Sequence, residues 1–122
     1  MLARYRTLRR EGAREIVIKK SRFIGYGKPV TSEDEAIAFV ESIRKKHWDA
    51  THNCYAYVIG ERDEIQKSSD DGEPSGTAGR PILEVIKAQQ LKFTAIVVTR
   101  YFGGIMLGAG GLIRAYTEGA VQ

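Results

Sequence analysis

Apolar positions along this chain fall into short alternating runs separated by stretches with helical spacing, and that pattern lays out most of its elements. Between Glu15 and Val30 the apolar set is Ile16, Ile18, Phe23, Ile24, Tyr26 and Val30, interrupted by Lys19-Lys20-Ser21-Arg22. A polar break in a β-branched and aromatic run predicts two strands joined as a hairpin. Thr31-Ser32-Glu33-Asp34-Glu35 reads as a helix start: Ser32 can cap, Glu35 completes a capping box, and the acids complement the positive helix end. Ala36, Val40, Ile43 and His47 then share one helical face, flanked by Ile37 and Phe39, with Arg44-Lys45-Lys46 at the negative end. His47 reads as a boundary residue and Trp48 as a core or rim anchor.

Thr51 to Ile59 alternates, with His52, Cys54, Ala56 and Val58 on one face, which predicts a strand buried on at least one side. Gly60-Glu61-Arg62-Asp63 is a turn, and Glu64 to Ser68 is a short edge strand. Pro81 opens a second helix to Leu91, with Ile82, Val85 and Ile86 near helical spacing. Phe93 to Tyr101 contains Ala95-Ile96-Val97-Val98, the most apolar run, which fits a central strand. Leu112, Ile113, Ala115 and Tyr116 begin a third helix. The arginine-rich lead-in from Tyr5 to Glu11 has no periodic pattern and reads as an irregular arm or a first edge strand. Interleaved strands and helices argue for one sheet with helices packed on it; the fold class expected is α+β with a single mixed sheet.

Composition bounds this picture. At 122 residues the chain reads as one domain over 1–122, able to bury roughly two-thirds of the surface its unfolded form exposes. No apolar run approaches the roughly 20 residues of a membrane span, so no membrane partner is expected. Met1 to Gly12 lacks the apolar centre of a secretory signal and the single cysteine cannot form an intrachain disulfide, which makes a cytoplasmic location the default. A net charge of +4 permits an anionic partner without specifying one.

The positions left over carry the chemistry. Asp70 to Pro81 is rich in glycine, carboxylate and hydroxyl and reads as a functional loop; Arg100 to Arg114 repeats the arrangement of glycine-rich turn leading into helix. Neither fits a phosphate-loop template. After Gly103 and Gly108 come Ala109 and Gly110 where a Walker loop has Lys and Ser or Thr, and Ile113 stands where the dinucleotide fingerprint has its third glycine. What remains is generic: backbone N–H groups at two helix starts, backed by Arg80, Arg100 and Arg114, favour an anion. The candidate ligand-binding set is Ser75, Gly76, Thr77, Gly79, Arg80, Arg100, Gly103, Gly104, Gly110, Gly111 and Arg114. Against it stands the reading that the glycines merely permit tight turns and close packing. Asp70, Asp71 and Glu73 are candidate ligands for a divalent cation such as Mg²⁺, set against a solvated acidic turn. His52 and Cys54 share a strand face, where an imidazole could activate a thiolate, although a buried strand cysteine is usually inert. No catalytic residue is assigned.

Several runs together resemble the IMPACT family, in particular its bacterial YigZ-type members. They are Lys-Ser-Arg-Phe at 20–23, Thr-His-Asn-Cys-Tyr-Ala-Tyr at 51–57, Asp-Asp-Gly-Glu-Pro-Ser-Gly-Thr-Ala-Gly at 70–79, Thr-Arg-Tyr-Phe-Gly-Gly at 99–104 and Leu-Gly-Ala-Gly-Gly-Leu-Ile-Arg-Ala-Tyr at 107–116. The likeness runs from about Glu15 to the end of the chain. It implies the left-handed βαβ fold of ribosomal protein S-five domain 2, elongation factor G domain IV and ribonuclease PH, the minority hand for such a crossover. It also implies a translation-linked role: the eukaryotic member restrains a starvation-sensing initiation-factor kinase by competing for its activator protein, and nucleic-acid or ribosome binding is suggested for bacterial members. Bacterial relatives continue into a ferredoxin-like second domain, so a chain ending at Gln122 reads as the N-terminal domain alone. The expectation is a regulatory or binding module, without a cofactor, that engages RNA, the ribosome or a phosphate-bearing partner through the two glycine loops. The alternatives are a metal-dependent enzyme acting on a phosphorylated or nucleotide substrate, and a protein-docking module.

Overall fold

A computed structural model of the chain describes residues 6–122. In chain order the elements are β1 (Gly12–Ile18), β2 (Ser21–Pro29), α1 (Glu33–Lys46), β3 (His52–Ile59), β4 (Ile65–Ser69), α2 (Gly79–Ala88), β5 (Thr94–Tyr101) and α3 (Gly108–Ala120). Of the lead-in, Tyr5 lies outside the described residues; the rest is irregular apart from one parallel bridge between Arg6 and Leu91, and the first edge strand is β1.

The expected hairpin is β1–β2, with Ile18 opposite Ser21, so Lys19-Lys20 forms the whole turn and both residues have positive φ. This is the backbone that matches the twist of a two-residue hairpin. At α1, Ser32 caps as expected by accepting from the Glu35 N–H at 3.2 Å, but the Glu35 carboxylate takes the Thr31 hydroxyl at 2.8 Å. The third helix starts at Gly108, four residues before the apolar pattern announces it, and the second ends at Ala88 with Leu91 buried beyond it.

The strands form one sheet in the order β1-β2-β5-β3-β4. The apolar run of β5 is central as expected, and every residue from Thr94 to Arg100 is buried. The sheet expected to be mixed is antiparallel at each strand pairing. The parallel relations lie one strand apart, β2 with β3 and β4 with β5, because each helical crossover steps over an inserted neighbour. Helices cover both faces: α1 packs on Ile24, Tyr26, Tyr57, Ala95 and Val97, whereas α2 and α3 pack on Phe23, Cys54, Ala56, Ile96 and Val98.

This arrangement fixes a handedness relation. The β2-α1-β3 crossover moves across the sheet one way over one face. The β4-α2-β5 crossover runs with reversed strand direction, moves back the other way, and uses the other face. Turning the sheet by half a revolution in its plane superimposes direction and movement but leaves the helices on opposite faces. The two crossovers are therefore of opposite hand, and one of them is left-handed, as the resemblance implied.

Candidate functional site

Asp70 builds the first glycine loop. Its Oδ1 accepts from the N–H groups of Ala78 and Gly79 at 3.1 and 2.8 Å, and its Oδ2 accepts from Gly76 at 3.0 Å. It thereby satisfies the start of α2, whose own N-cap residue, Ala78, has no side chain able to do so. Burial raises the Asp70 pKa, but the three donors outweigh that and hold it below the ordinary carboxylate value. Gly79 is required for packing, since a Cβ there would lie 2.7 Å from the Ser69 backbone.

Glu73 turns inward and is buried. Its Oε2 accepts from Arg100 Nη1 at 2.8 Å and from the Tyr116 hydroxyl, while its Oε1 stands 3.4 Å from His52 Nε2. Arg100, 5% exposed, also donates through Nη2 to Ser21 Oγ at 3.2 Å, and the Gly103 N–H donates to the same oxygen at 3.1 Å. Burial above all, with Cys54 and Glu73 adjoining, pushes the Tyr116 phenol far up, so the hydroxyl remains a neutral donor. His52 Nδ1 is 2.8 Å from the Asp71 carbonyl oxygen, so both ring nitrogens face oxygens of the loop. The imidazole does not engage Cys54, whose thiol donates to the Asp70 carbonyl at 3.1 Å and is pushed well up by burial, away from the thiolate that an activated nucleophile needs.

Above this polar floor opens a cleft of about 300 Å³. Thr51, His52, Glu73 and Arg100 form its polar lining, and Pro74, Phe102, Met106, Leu107 and Leu112 form apolar walls, with Gly108 and Ala109 at the start of α3. The connection from β5 to α3 is apolar and exposed: Phe102, Ile105 and Met106 face solvent, and Met106 is 79% accessible. The first turn of α3 has neither an acidic residue nor a side-chain cap.

The three candidate arginines have different surroundings. Arg100 is buried against Glu73, Arg80 is exposed on α2 with Nε 3.9 Å from Glu84, and Arg114 is exposed on α3 beside Gly110. Ser75 and Gly76 are at the exposed loop tip, and the Thr77 hydroxyl donates to the Pro74 carbonyl at 2.6 Å. Gly103 is a packing residue, since a Cβ would lie 2.0 Å from the Lys20 carbonyl oxygen; Gly104 has φ +90° in open space. Gly110 and Gly111 belong to the first turn of α3 rather than to a loop.

The three carboxylates are also dispersed. Asp71 accepts from the Asn53 N–H at 2.7 Å and stands 3.9 Å from Arg44, Asp70 faces backbone amides, and Glu73 faces Arg100 and Tyr116. Among the described residues no group of three or more His, Cys, Asp or Glu is placed to hold a metal ion. Residue reasoning did not single out Ser21, Tyr116, Phe102 or Met106, because their roles come from partners far away in sequence. Trp48, expected in the core or at its rim, is 82% exposed.

The sequence profile of the Impact N-terminal domain matches residues 19–122. The IMPACT family member YvyE of Bacillus subtilis (strain 168) is 65% identical over 116 residues, covering 95% of this chain and 54% of that protein. The IMPACT family member YigZ of Escherichia coli (strain K12) is 49% identical over 107 residues, covering 86% of this chain and 52% of that protein. The chain thus spans about half the length of these relatives. Among solved structures, a hypothetical protein superimposes with a TM-score of 0.90 at 42% identity over 93% of this chain and 56% of its own. The two-domain translational regulator Yih1 superimposes with a TM-score of 0.60 at 26% identity over 93% of this chain and 46% of its own. With the family profile covering all three helices and most of the sheet, the chain belongs to the IMPACT family.

Proposed function

We propose that this chain is a translation-linked regulatory module that works by binding, and that it docks a protein surface of the translation apparatus in the cleft between the Asp70–Gly79 loop and the start of α3. The observation that carries this reading is the exposed apolar connection Phe102 to Leu107 walling a cleft with a fixed polar floor. Apolar groups held in water beside an ordered polar floor suit an anchor residue of a partner protein. A translational regulator, Yih1, shares the fold and supports the cellular setting.

Chemistry on a substrate is less well supported by the same floor. A general base needs a ring nitrogen or carboxylate directed at substrate, whereas both His52 nitrogens face loop oxygens and Glu73 is taken up by Arg100 and Tyr116. A phosphate-bearing partner is the second reading, favoured by the uncapped first turn of α3 with Arg114 beside it.

Co-sedimentation with purified bacterial ribosomes tests both. The docking reading expects association that Met106→Asp abolishes and Arg114→Ala leaves in place. The reverse pattern supports the phosphate reading, and no association at low salt overturns both.

A further inference from the structure

The tryptophan of this chain, a single one, is not used by the fold or by the cleft. Trp48 is 82% exposed just past α1, separated by His47 from the run Arg44, Lys45 and Lys46 in the last turn of that helix. The cations are explained in part by the negative helix end, but that accounts for no indole in water. The residue before Trp48, His47, belongs to an aromatic row, with its ring centroid 5.5 Å from that of Tyr26 and 5.7 Å from that of Tyr101. Lys46 Nζ lies 5.2 Å from the centre of the Tyr26 ring, and the Arg22 guanidinium lies 5.2 Å from that of Tyr101. Carboxylates are present as well: Glu15 holds Arg22, Asp71 stands 3.9 Å from Arg44, and Asp49 accepts from the Tyr101 hydroxyl. Lys45 and Lys46 meet no carboxylate among the described residues.

We propose that the end of α1, centred on Trp48 with Arg44, Lys45 and Lys46, is a binding site for a single-stranded polynucleotide. A base stacks on the open indole face while neighbouring phosphates meet the lysines and arginine, the combination by which single strands are held without base-edge readout. A duplex offers the phosphates but no free base face. Trp48 follows α1, which packs on one face of the sheet, whereas Leu107 and Leu112 of the cleft pack on the other.

Because Trp48 is the single tryptophan, its fluorescence reads the site directly. Titration with a uridine oligoribonucleotide of a dozen residues at low salt is expected to quench it saturably, with affinity falling linearly against salt on logarithmic axes. A thymidine oligodeoxynucleotide forms the second arm: equal affinity marks a site indifferent to the sugar, and preference for the ribonucleotide marks RNA. Anisotropy of the labelled oligonucleotide is expected to show about 5- to 150-fold weaker binding by Trp48→Ala, the range of one stacking contact. Lys45→Gln with Lys46→Gln is expected to reduce the salt slope. Absence of quenching, undiminished binding by Trp48→Ala, or equally tight binding of duplex RNA would each overturn the proposal.

Discussion

Glu73 and Arg100 are 27 positions apart in sequence and meet at 2.8 Å with only 3% and 6% of their side chains exposed. A buried pair of this kind ties the glycine loop to the end of β5, and its removal is costly mainly through the charge left behind. Arg100→Ala is therefore expected to lower stability by about 3–5 kcal/mol, because Glu73 stays buried with one cation fewer. The double change Arg100→Met with Glu73→Leu should cost markedly less than the sum of the single changes. Urea denaturation of Arg100→Met, Glu73→Leu and the double variant measures this coupling, with Arg100→Ala beside them for the single loss, and an additive result would mean that the pair is not coupled.

Asp70 organises the same loop through backbone amides, and its contribution depends on pH with a definite sign. Its native pKa lies below the ordinary value, since three N–H donors outweigh the effect of burial. The unfolded chain then binds the proton more readily, so the stabilisation is complete above about pH 4 and is lost as pH falls through the lowered native value. Asp70→Ala should cost about 1–2 kcal/mol near neutrality, as loss of a helix cap does. The gap between wild type and variant should narrow as acid is added, and a gap constant from pH 7 to pH 2 would contradict the assignment.

The neighbouring glycines Gly103 and Gly104 separate packing from conformation. At Gly103 a methyl group would collide with the Lys20 carbonyl oxygen at 2.0 Å, in the turn where Lys19 and Lys20 both have positive φ. Gly103→Ala should destabilise by at least about 1–3 kcal/mol through overpacking. At Gly104 the space is open and φ is +90°, so Gly104→Ala should cost about 1–2 kcal/mol from the left-handed backbone alone. Replacement of Gly104 by Asn, which tolerates that region better, should recover part of the loss, whereas Gly103→Asn should recover none.

Much of the scaffold was legible because its signals are local. The β-branched run of β5 announced a central strand, and Ser32 with the acids after it announced α1. The start of α3 was hidden because Gly108, Gly110 and Gly111 are poor helix formers, and tertiary packing overrides propensity there. Asp70 acts as a cap from nine positions before Gly79, outside any local capping pattern. The polar floor of the site was not legible for one reason: Arg100 finds Glu73 and Ser21 across 27 and 79 positions, and no periodicity reports such a meeting. An arginine after an apolar strand therefore looked free to meet a ligand when its Nη1 donates to a buried carboxylate.

His47 gives the last expectation. Its ring lies between two phenols, with Nε2 bonded to the Tyr26 hydroxyl and Nδ1 at 2.7 Å from the Tyr101 oxygen. Tyr101 donates its own proton to Asp49 at 3.1 Å, so it accepts from Nδ1–H, and Nε2 is left to accept from Tyr26. Protonation of Nε2 turns that contact into two donors facing each other unless the Tyr26 hydroxyl rotates. Burial first, and then the charge of Lys46, lowers the His47 pKa from the ordinary histidine value. In the window between the ordinary value near 6.5 and the lowered native one, the unfolded chain carries more protons. Stability is accordingly full above about pH 7 and declines as pH falls through the native value. Tyr26→Phe removes the donor that favours neutral Nε2, so it should raise the His47 pKa and flatten this part of the pH profile. Titration of the His47 ring by NMR, alongside urea midpoints between pH 5 and pH 8, checks both. An unchanged ring pKa in Tyr26→Phe would show that burial and Lys46 alone set it.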